Sequence, residues 1–234
     1  MNKDQFIDSL IALNIKPTDY QLSQLDKYYQ LLIEWNKKIN LTAITDKNQV
    51  YLKHFYDSLT AAKILDLNHE ETLCDIGTGA GFPGIVLKIF FPNLKVTLVD
   101  SLNKRLLFLD EVIKQLNLDD IKTIHARAEE FALNHRETFD VVIARAVAPI
   151  NILVEYCVPL IKTNKYFISM KGDISREISC LNSSLRKINA KLLKEEKFTL
   201  PFEESKRTLL LISKSTNTIT KYPRKNAEIK KNPL

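Results

Sequence analysis

The sequence predicts an α/β fold in which a mostly parallel β-sheet has an antiparallel edge and is preceded by a helical segment. From residue 69 onward, short β-branched runs alternate with stretches of helical periodicity, as in a parallel sheet covered on both faces. Two late runs, 191–199 and 206–214, have no long helix between them, which favours an antiparallel pair at the edge. Before residue 69, apolar side chains recur at helical spacing.

Residues 1–68 form the predicted helical segment, which we expect to pack on the sheet domain. Thr18 and Gln21 have the spacing of a capping box and follow Pro17, so a second helix should begin there. The apolar positions make two stripes: Phe6, Ile7, Leu10 and Ile11, and then Leu22, Leu25, Tyr29, Leu32 and Ile33.

Residues 69–214 form the predicted sheet domain, in which we find no internal repeat. Its strands are expected at 73–76, 95–99, 121–124, 139–143 and 166–169, followed by the late pair at 191–199 and 206–214. Helices are expected around 104–117, 127–133 and 149–162.

Residues 215–234 form a basic C-terminal tail. Together with Lys214 it contains six cationic side chains and a single acid, Glu228, so it supplies +5 of the formal net charge of +6. The tail has too few apolar residues to fold alone, and a basic arm of this kind suits a polyanion such as RNA. A solubilising extension is the alternative interpretation.

The composition excludes several classes of protein. With 234 residues, 45% of them hydrophobic, and 8 prolines, the chain is neither disordered nor collagen-like. No apolar run is long enough for a bilayer, and the first residues lack a secretory pattern, so we expect a cytoplasmic protein with no membrane partner. Cys74, Cys157 and Cys180 are too scattered for a disulfide framework or a zinc cluster, and we expect no metal site.

Glycine is concentrated in one turn. Four of the five glycines, Gly77, Gly79, Gly81 and Gly84, lie within eight residues. The turn follows a predicted strand, and Pro83 stands where the first turn of a helix accepts a proline. Glycine at this density indicates a backbone that turns tightly or approaches a ligand closely.

Charge distinguishes between the possible ligands of this turn. Residues 79–84 satisfy G-x-G-x-x-G, so a dinucleotide has to be considered. A pyrophosphate needs free amides and no neighbouring anion, whereas Pro83 removes one amide and Asp75 places a carboxylate at the strand end. S-adenosylmethionine has no phosphate, an ammonium that suits Asp75, and a ribose that Asp100 can bind through both hydroxyls. We therefore expect S-adenosylmethionine as the cofactor, with an NAD-binding oxidoreductase as the rival.

Later strands end at the same edge and supply further candidates. An amide and a carboxylate at Ala128–Glu129 could bind adenine, although Glu129 also suits the first turn of a helix. Arg145 would face the methyl donor, and a surface ion pair is its alternative role. Lys171 is a candidate for substrate contact or an ordinary exposed lysine.

The atom that accepts the methyl group is inferred partly from motifs that the chain lacks. There is no Asn-Pro-Pro-Tyr sequence for an adenine amino group and no Pro-Cys pair for attack on cytosine. Guanine N7 fits, because its lone pair is free at neutral pH and needs no general base, so catalysis becomes positioning. In RNA such an atom must lie in a loop or be splayed out. The candidates for RNA contact are Arg145, Lys171, Arg207, Arg224 and Lys225.

The chain resembles the bacterial 16S rRNA guanine-N7 methyltransferases, the glucose-inhibited division protein B family, over nearly its whole length. The matching segments are DIGTGAGFPG at 75–84, VDSLNKR at 99–105, RAE at 127–129, ARA at 144–146, KG at 171–172, WNKKINLT at 35–42, HFYDSL at 54–59 and KYPRK at 221–225. The resemblance implies a Rossmann-like class I methyltransferase fold. It also implies methylation of guanosine 527 in the decoding-region loop, in the cytoplasm and without magnesium in the chemistry.

The resemblance further implies 16S rRNA or a small-subunit ribosomal particle as the partner, with no obligate protein partner evident. It places His54 and Asp57 near the pocket, although a packing histidine and a capping aspartate are the alternative roles. Two other functions stay open: a methyltransferase for another RNA, a protein or a metabolite, and a noncatalytic RNA-binding protein. From the motif and the resemblance together, the expected cofactor-binding residues are Asp75, Gly77, Gly79, Gly81, Phe82, Asp100, Ser101, Ala128, Glu129 and Arg145.

Overall fold

The computed structural model describes residues 1–175 and 177–234, and its strands form one seven-stranded sheet. The strands are β1 (Thr72–Ile76), β2 (Lys95–Asp100), β3 (Ile121–His125), β4 (Phe139–Arg145), β5 (Ile161–Lys171), β6 (Ala190–Thr199) and β7 (Lys206–Lys214). They lie in the order β3-β2-β1-β4-β5-β7-β6. The first five are parallel, and β7 runs antiparallel to both β5 and β6. The predicted parallel sheet with an antiparallel edge is therefore confirmed.

Helices precede the sheet and connect its strands. The α-helices are α1 (Lys3–Ile11), α2 (Asp19–Asn36), α3 (Lys47–Val50), α4 (Asp57–Leu59), α5 (Gly84–Phe90), α6 (Asn103–Gln115), α7 (Ala128–Asn134), α8 (Ile150–Cys157), α9 (Ile178–Lys187) and α10 (Asn226–Lys231). A π-helical turn, Tyr51–Tyr56, joins α3 to α4. Thr18 and Gln21 form the predicted capping box of α2. No helix within the described residues is both long and apolar enough to traverse a membrane.

Each face of the sheet buries its own apolar core. One core packs the N-terminal helices, α5 and α6 against the sheet, and the other contains α7, α8, α9 and the C-terminal tail. The periodicity of the sequence does not predict α9, because its short apolar stripe of Leu181 and Leu185 is interrupted by polar residues, but both leucines are buried in the second core. Helices on both faces leave the carboxyl ends of the parallel strands free to form a site.

Tyr28 connects the N-terminal helices to the glycine turn. The predicted stripe of α2 included Tyr29, whereas the structure buries Tyr28 completely and leaves Tyr29 half-buried. The Tyr28 hydroxyl donates a hydrogen bond to the Ala80 carbonyl, inside the turn. The N-terminal segment therefore packs on the sheet and also holds the glycine turn through Tyr28.

The C-terminal tail packs on the second core. Tyr222, Ile229 and Leu234 are buried there, although the tail has too few apolar residues to fold alone. Lys214, counted with the tail from its charge, is the last residue of β7, and its buried ammonium contacts Glu137 at 3.1 Å. The tail is thus a docked segment rather than a free arm.

Candidate active site

Two cavities lie at the carboxyl edge of the parallel strands. The glycine-loop cavity, of about 520 Å³, is lined by Ile76, Gly77, Val99, Asp100, Ser101, Arg105, Ala126, Arg127, Ala128, Glu129, residues 146–149, Ile152, Tyr156, Asn226 and Lys230. The arginine cavity, of about 590 Å³, is lined by Ile44, Lys53, His54, Asp57, Arg145, residues 146–149, Met170, Lys171, Gly172, Asp173, Glu177, Arg207 and Leu209. Both volumes suit a small ligand or a single nucleotide.

The segment 146–149, which follows β4, is a wall common to both cavities. Ala146 adopts a left-handed backbone with φ of +56°, and this turns the chain away from the strand at once. Val147 packs on Gly77: a Cβ atom built on Gly77 would lie 2.6 Å from Val147 Cγ2. Gly77 also has φ of +69°, so both its conformation and its close contact favour glycine.

Most amides of the glycine turn are already bonded within the protein. Gly77 and Thr78 donate to the Val99 carbonyl, Gly79 donates to Asp100 Oδ2, and Gly84 donates to Asp75 Oδ2 at 2.8 Å. The remaining bonds of the turn, from Gly81 and Phe82 to the Thr78 carbonyl, stay within it. A phosphate needs several free amides at such a turn, so this geometry is unfavourable for a pyrophosphate.

Asp75 lies beneath the turn rather than in a cavity. Its Oδ2 accepts hydrogen bonds from the Thr78 hydroxyl at 2.7 Å and the Gly84 amide, and it lines neither cavity. Burial raises the pKa of its carboxyl to about 6, against the lowering effect of those hydrogen bonds. Its Oδ1 has no partner among the described residues. The contact with an ammonium group that the sequence suggested stays a prediction, and the observed role of Asp75 is to hold the turn.

Asp100 lines the glycine-loop cavity at the end of β2. Its Oδ2 accepts from the Gly79 amide and its Oδ1 from the Leu102 amide, each at 2.9 Å. Arg105 reaches Oδ2 at 3.2 Å and also lines the cavity. Sequence reasoning did not identify Arg105, although its position one turn into the helix after the acid could have suggested it.

Ser101, Ala128 and Glu129 line the glycine-loop cavity, and their contact with a cofactor stays a prediction. Glu129 is in the first turn of α7, and only 5% of its surface is exposed. No hydrogen-bond donor reaches its carboxylate among residues 1–175 and 177–234, which leaves that acceptor available to a ligand. Glu129 is therefore an acid in the first turn of a helix and also lines the cavity, so its two proposed roles are compatible.

Asp57 bridges two arginines in the arginine cavity. Its Oδ2 lies 3.2 Å from Arg145 Nη1, and its Oδ1 lies 3.0 Å from Arg207 Nε. Arg145 also donates to the Lys53 carbonyl at 3.1 Å. The ion pair of Arg145 is thus buried rather than on the surface, because its side chain is 14% exposed and that of Asp57 is 5% exposed. Asp57 orients both guanidinium groups instead of capping a helix.

Phe82 supports this cluster from below without lining either cavity. The His54 ring stacks on Phe82 with a centroid distance of 4.5 Å and an interplanar angle of 12°, and the Arg145 guanidinium lies 5.4 Å from the same ring. The His54 Nε2 atom is 2.9 Å from Thr42 Oγ1. His54 lies in the π-helical turn, a feature common at functional sites.

The imidazole of His54 is expected to stay neutral in the folded protein. Burial, together with the adjacent charge of Arg145, lowers its pKa from 6.5 to about 3. Between these values the unfolded chain binds a proton that the folded chain does not, so the free energy of unfolding should fall as the pH drops from 6.5 towards 3. The slope would approach about 1.4 kcal/mol per pH unit. Urea unfolding of the wild type and of His54→Gln at several pH values measures this contribution as a difference, and parallel pH dependences would contradict it.

The remaining predicted RNA contacts divide into two groups. Lys171 lines the arginine cavity, where its ammonium lies 2.9 Å from Glu177 Oε2 and donates to the Ala148 carbonyl at 2.9 Å. Arg224 and Lys225 line neither cavity. Lys53 and most of the shared wall, residues 146–149, were not predicted from the sequence. Because ligands of such sheets bind at the carboxyl ends of strands, the residues after β4 could have been included.

The chain is similar to known proteins over its whole length. A family model described as GidB, rRNA small subunit methyltransferase G, matches residues 21–209. Curated proteins named Ribosomal RNA small subunit methyltransferase G are similar over all of this chain and all of their own length: 47% identical in Exiguobacterium sibiricum, 47% in Lysinibacillus sphaericus and 45% in Listeria monocytogenes.

Two solved structures share the fold. M. jannaschii TYW2 in complex with AdoMet has a TM-score of 0.54 and 18% identity, over 63% of this chain and 70% of that one. The mitomycin 7-O-methyltransferase MmcR has a TM-score of 0.58 and 14% identity, over 80% of this chain and 60% of that one. The predicted class I methyltransferase fold is confirmed by these neighbours. With the family model over most of its length and full-length relatives at 45–47% identity, the chain belongs to the rRNA small subunit methyltransferase G family.

Proposed function

We propose that this chain transfers the methyl group of S-adenosylmethionine to N7 of a guanine in 16S rRNA, at the position that the family resemblance implies, guanosine 527. The observation that carries the proposal is the pair of cavities separated by one wall, residues 146–149. The glycine-loop cavity presents the buried carboxylates of Asp100 and Glu129 beside three cationic side chains, and the arginine cavity presents two arginines and two lysines beside three acids. The two carboxylates offer acceptors for the hydroxyl and amino groups of a nucleoside donor, and the four cations of the other cavity suit a nucleotide.

The glycine-loop cavity fits S-adenosylmethionine better than a dinucleotide. Most amides of the turn are bonded internally, which suits a ligand without phosphates. Asp100 and Glu129 add acceptors for hydroxyl and amino groups. When bound there, the cofactor supplies a methyl group activated by a sulfonium.

Residues of the turn and of the cavity lining then have defined tasks. Gly77 lets the ligand approach the backbone, since any side chain there would meet Val147. Asp100 binds the ribose hydroxyls, and Arg105, now 3.2 Å from Asp100, gives up that contact. The Ala128 amide and the free carboxylate of Glu129 bind the adenine edge. Asp75 keeps the turn closed through Gly84.

The arginine cavity suits a guanine whose N7 attacks without a base. Neutral N7 carries its lone pair already, so no proton has to be removed before transfer. His54 is engaged with Thr42 and stays neutral, which fits a positioning role rather than proton transfer. None of the three cysteines lines either cavity, and burial raises the pKa of two of them, Cys74 and Cys157, which does not favour a thiolate nucleophile.

Arg145 holds the guanine by O6 or by its phosphate, because a donor aimed at N7 would block the lone pair. Lys53, Lys171 and Arg207 line the same cavity and neutralise neighbouring phosphates. A nucleotide splayed out of its stack can enter this cavity, whereas N7 in an RNA helix lies in a deep, narrow groove. Alignment of N7 with the methyl group then supplies catalysis by orientation. A cytoplasmic location, where the RNA is made, is part of this proposal.

Methyl transfer to defined RNA tests the proposal. The purified chain is incubated with tritium-labelled S-adenosylmethionine and small-subunit RNA, either naked or in particles, from cells that lack this protein. We expect one 7-methylguanosine, identified by mass spectrometry of nucleosides and located by cleavage at that base. Label in another base, another RNA or a protein would overturn the guanine N7 assignment. Dinucleotide affinity without donor affinity would favour the NAD-binding alternative.

A further inference from the structure

A buried ion pair between Arg224 and Glu155 anchors the C-terminal tail to the rest of the protein. Arg224 directs three hydrogen bonds at Glu155 of α8: its amide and its Nε donate to Oε1 at 2.8 Å, and its Nη2 donates to Oε2 at 2.6 Å. Glu155 is completely buried, so these bonds satisfy a carboxylate that has left water. Arg224 is therefore occupied inside the protein and is not free to bind RNA phosphates.

Further contacts hold the rest of the tail in place. Arg136 donates to the carbonyls of Tyr222 and, at 2.5 Å, Thr218. The Ser184 hydroxyl of α9 donates to the Leu234 carbonyl at 2.7 Å. Ile229, in α10, is fully buried in the second core. The helix α10 is thus held on its N-terminal side by Glu155 of α8 and on its C-terminal side by Ser184 of α9.

This docking brings α10 to the glycine-loop cavity. Asn226 and Lys230 line that cavity together with Ile152 and Tyr156 of α8. The Tyr156 hydroxyl donates to Asn226 Oδ1 at 3.4 Å. Burial raises the pKa of Tyr156, and the nearby carboxylate of Glu129 raises it further. Because Tyr156 contacts Asn226, α10 lies on the side of the cavity that contains Glu129.

We propose that α10 belongs to the cofactor site and that Asn226 and Lys230 contact the adenosine part of S-adenosylmethionine. The proposal rests on the proposed function in one respect, namely that the glycine-loop cavity holds this cofactor. Asn226 offers both a donor and an acceptor, which match the amino group and ring nitrogens of adenine. Lys230 offers donors alone, which match a ring nitrogen or a ribose oxygen. The tail then contacts the methyl donor, whereas its charge alone suggested that it chiefly binds RNA.

Lys231 provides a matched control for Lys230. The two lysines are neighbours on α10 and both are exposed, but only Lys230 lines the cavity. Removing either cation changes the charge of the tail by the same amount. A difference between them therefore reports contact with the ligand rather than general electrostatics. Arg224→Ala is unsuitable, because it would leave Glu155 buried without a partner.

Calorimetric titration of the full-length chain with S-adenosylmethionine, without RNA, tests the proposal. We expect Asn226→Ala and Lys230→Ala each to weaken binding about three- to tenfold, the effect of one lost hydrogen bond, and Lys231→Ala to bind within about twofold of the wild type. Thermal unfolding of each variant checks that it is folded. Should either variant unfold, the other still decides the outcome, since each is predicted to weaken binding independently.

The outcomes separate this inference from the proposed function. If the wild type binds S-adenosylmethionine and both alanine variants bind it equally well, the role of α10 is disproved while the cofactor site stands. Weakened RNA affinity with unchanged donor affinity would assign the tail to RNA and would also overturn the inference. If the wild type binds no S-adenosylmethionine, the proposed function fails and the inference fails with it.

Discussion

Replacing Arg145 by alanine is expected to lower kcat/KM for RNA methylation about 10²- to 10³-fold while the dissociation constant for S-adenosylmethionine stays within about twofold. The reason is its location: Arg145 lines the arginine cavity and does not line the glycine-loop cavity. Under the proposed function the variant loses the hydrogen bond that positions the guanine, and among the described residues Asp57 keeps only its ion pair with Arg207. Single-turnover methylation and calorimetry on the same preparation measure the two effects.

Arg145→Lys separates charge from geometry. Lysine keeps the charge but lacks the planar fork that contacts Asp57, the Lys53 carbonyl and the Phe82 ring together, so most of the loss should persist. Arg186→Ala, an exposed arginine on α9, serves as the control and should leave both measurements unchanged. A large loss of donor affinity in Arg145→Ala would instead place this residue on the cofactor, as the family resemblance implies.

Gly77→Ala should weaken binding of S-adenosylmethionine at least about tenfold. Two costs add at this position. The left-handed backbone with φ of +69° disfavours any side chain, by about 1–2 kcal/mol, and the new Cβ would lie 2.6 Å from Val147 Cγ2. The turn or the shared wall must shift to relieve that contact, and both form the glycine-loop cavity. Calorimetric titration with S-adenosylmethionine measures the loss.

A second substitution distinguishes the two costs. Val147→Ala in the Gly77→Ala background removes the clashing methyl groups and should restore part of the affinity, while the backbone strain remains. Gly172→Ala is the control, because its nearest neighbouring atom would be 3.9 Å away, and its donor affinity should match the wild type. Wild-type affinity in Gly77→Ala would show that the ligand does not approach this part of the turn.

The sheet and the turn could be predicted from sequence because their signals are local. Alternation of β-branched runs with helical stretches gives the parallel strands, and the clustering of glycine gives the turn at the end of β1. Parallel strands bring their carboxyl ends to one edge, so Asp100, Glu129 and Arg145 could be placed there without a structure. The family resemblance added 16S rRNA, and the position within it, as the expected substrate, which no spacing in the chain specifies.

Other features depend on contacts between residues that are distant in sequence. Asp75 looked like a ligand for an ammonium, but it is separated from the cavity by the turn that it holds through Gly84. Charge alone assigned Arg224 to RNA, because nothing local indicates that Glu155, 69 residues earlier, is buried against it. The division of site residues between two cavities likewise follows from the path of residues 146–149 after β4.

The single peptide segment between the two cavities has a thermodynamic consequence. Residues 146–149 border both spaces, so a displacement of this segment towards one space narrows that space and widens the other. A ligand that displaces the segment from one side would therefore change the affinity of the other side for its own ligand, and by reciprocity the two affinities would change by an equal factor. Ala146 turns the chain into this segment with its left-handed φ of +56°, so the position of the boundary between the two spaces depends on a backbone conformation that alanine rarely adopts.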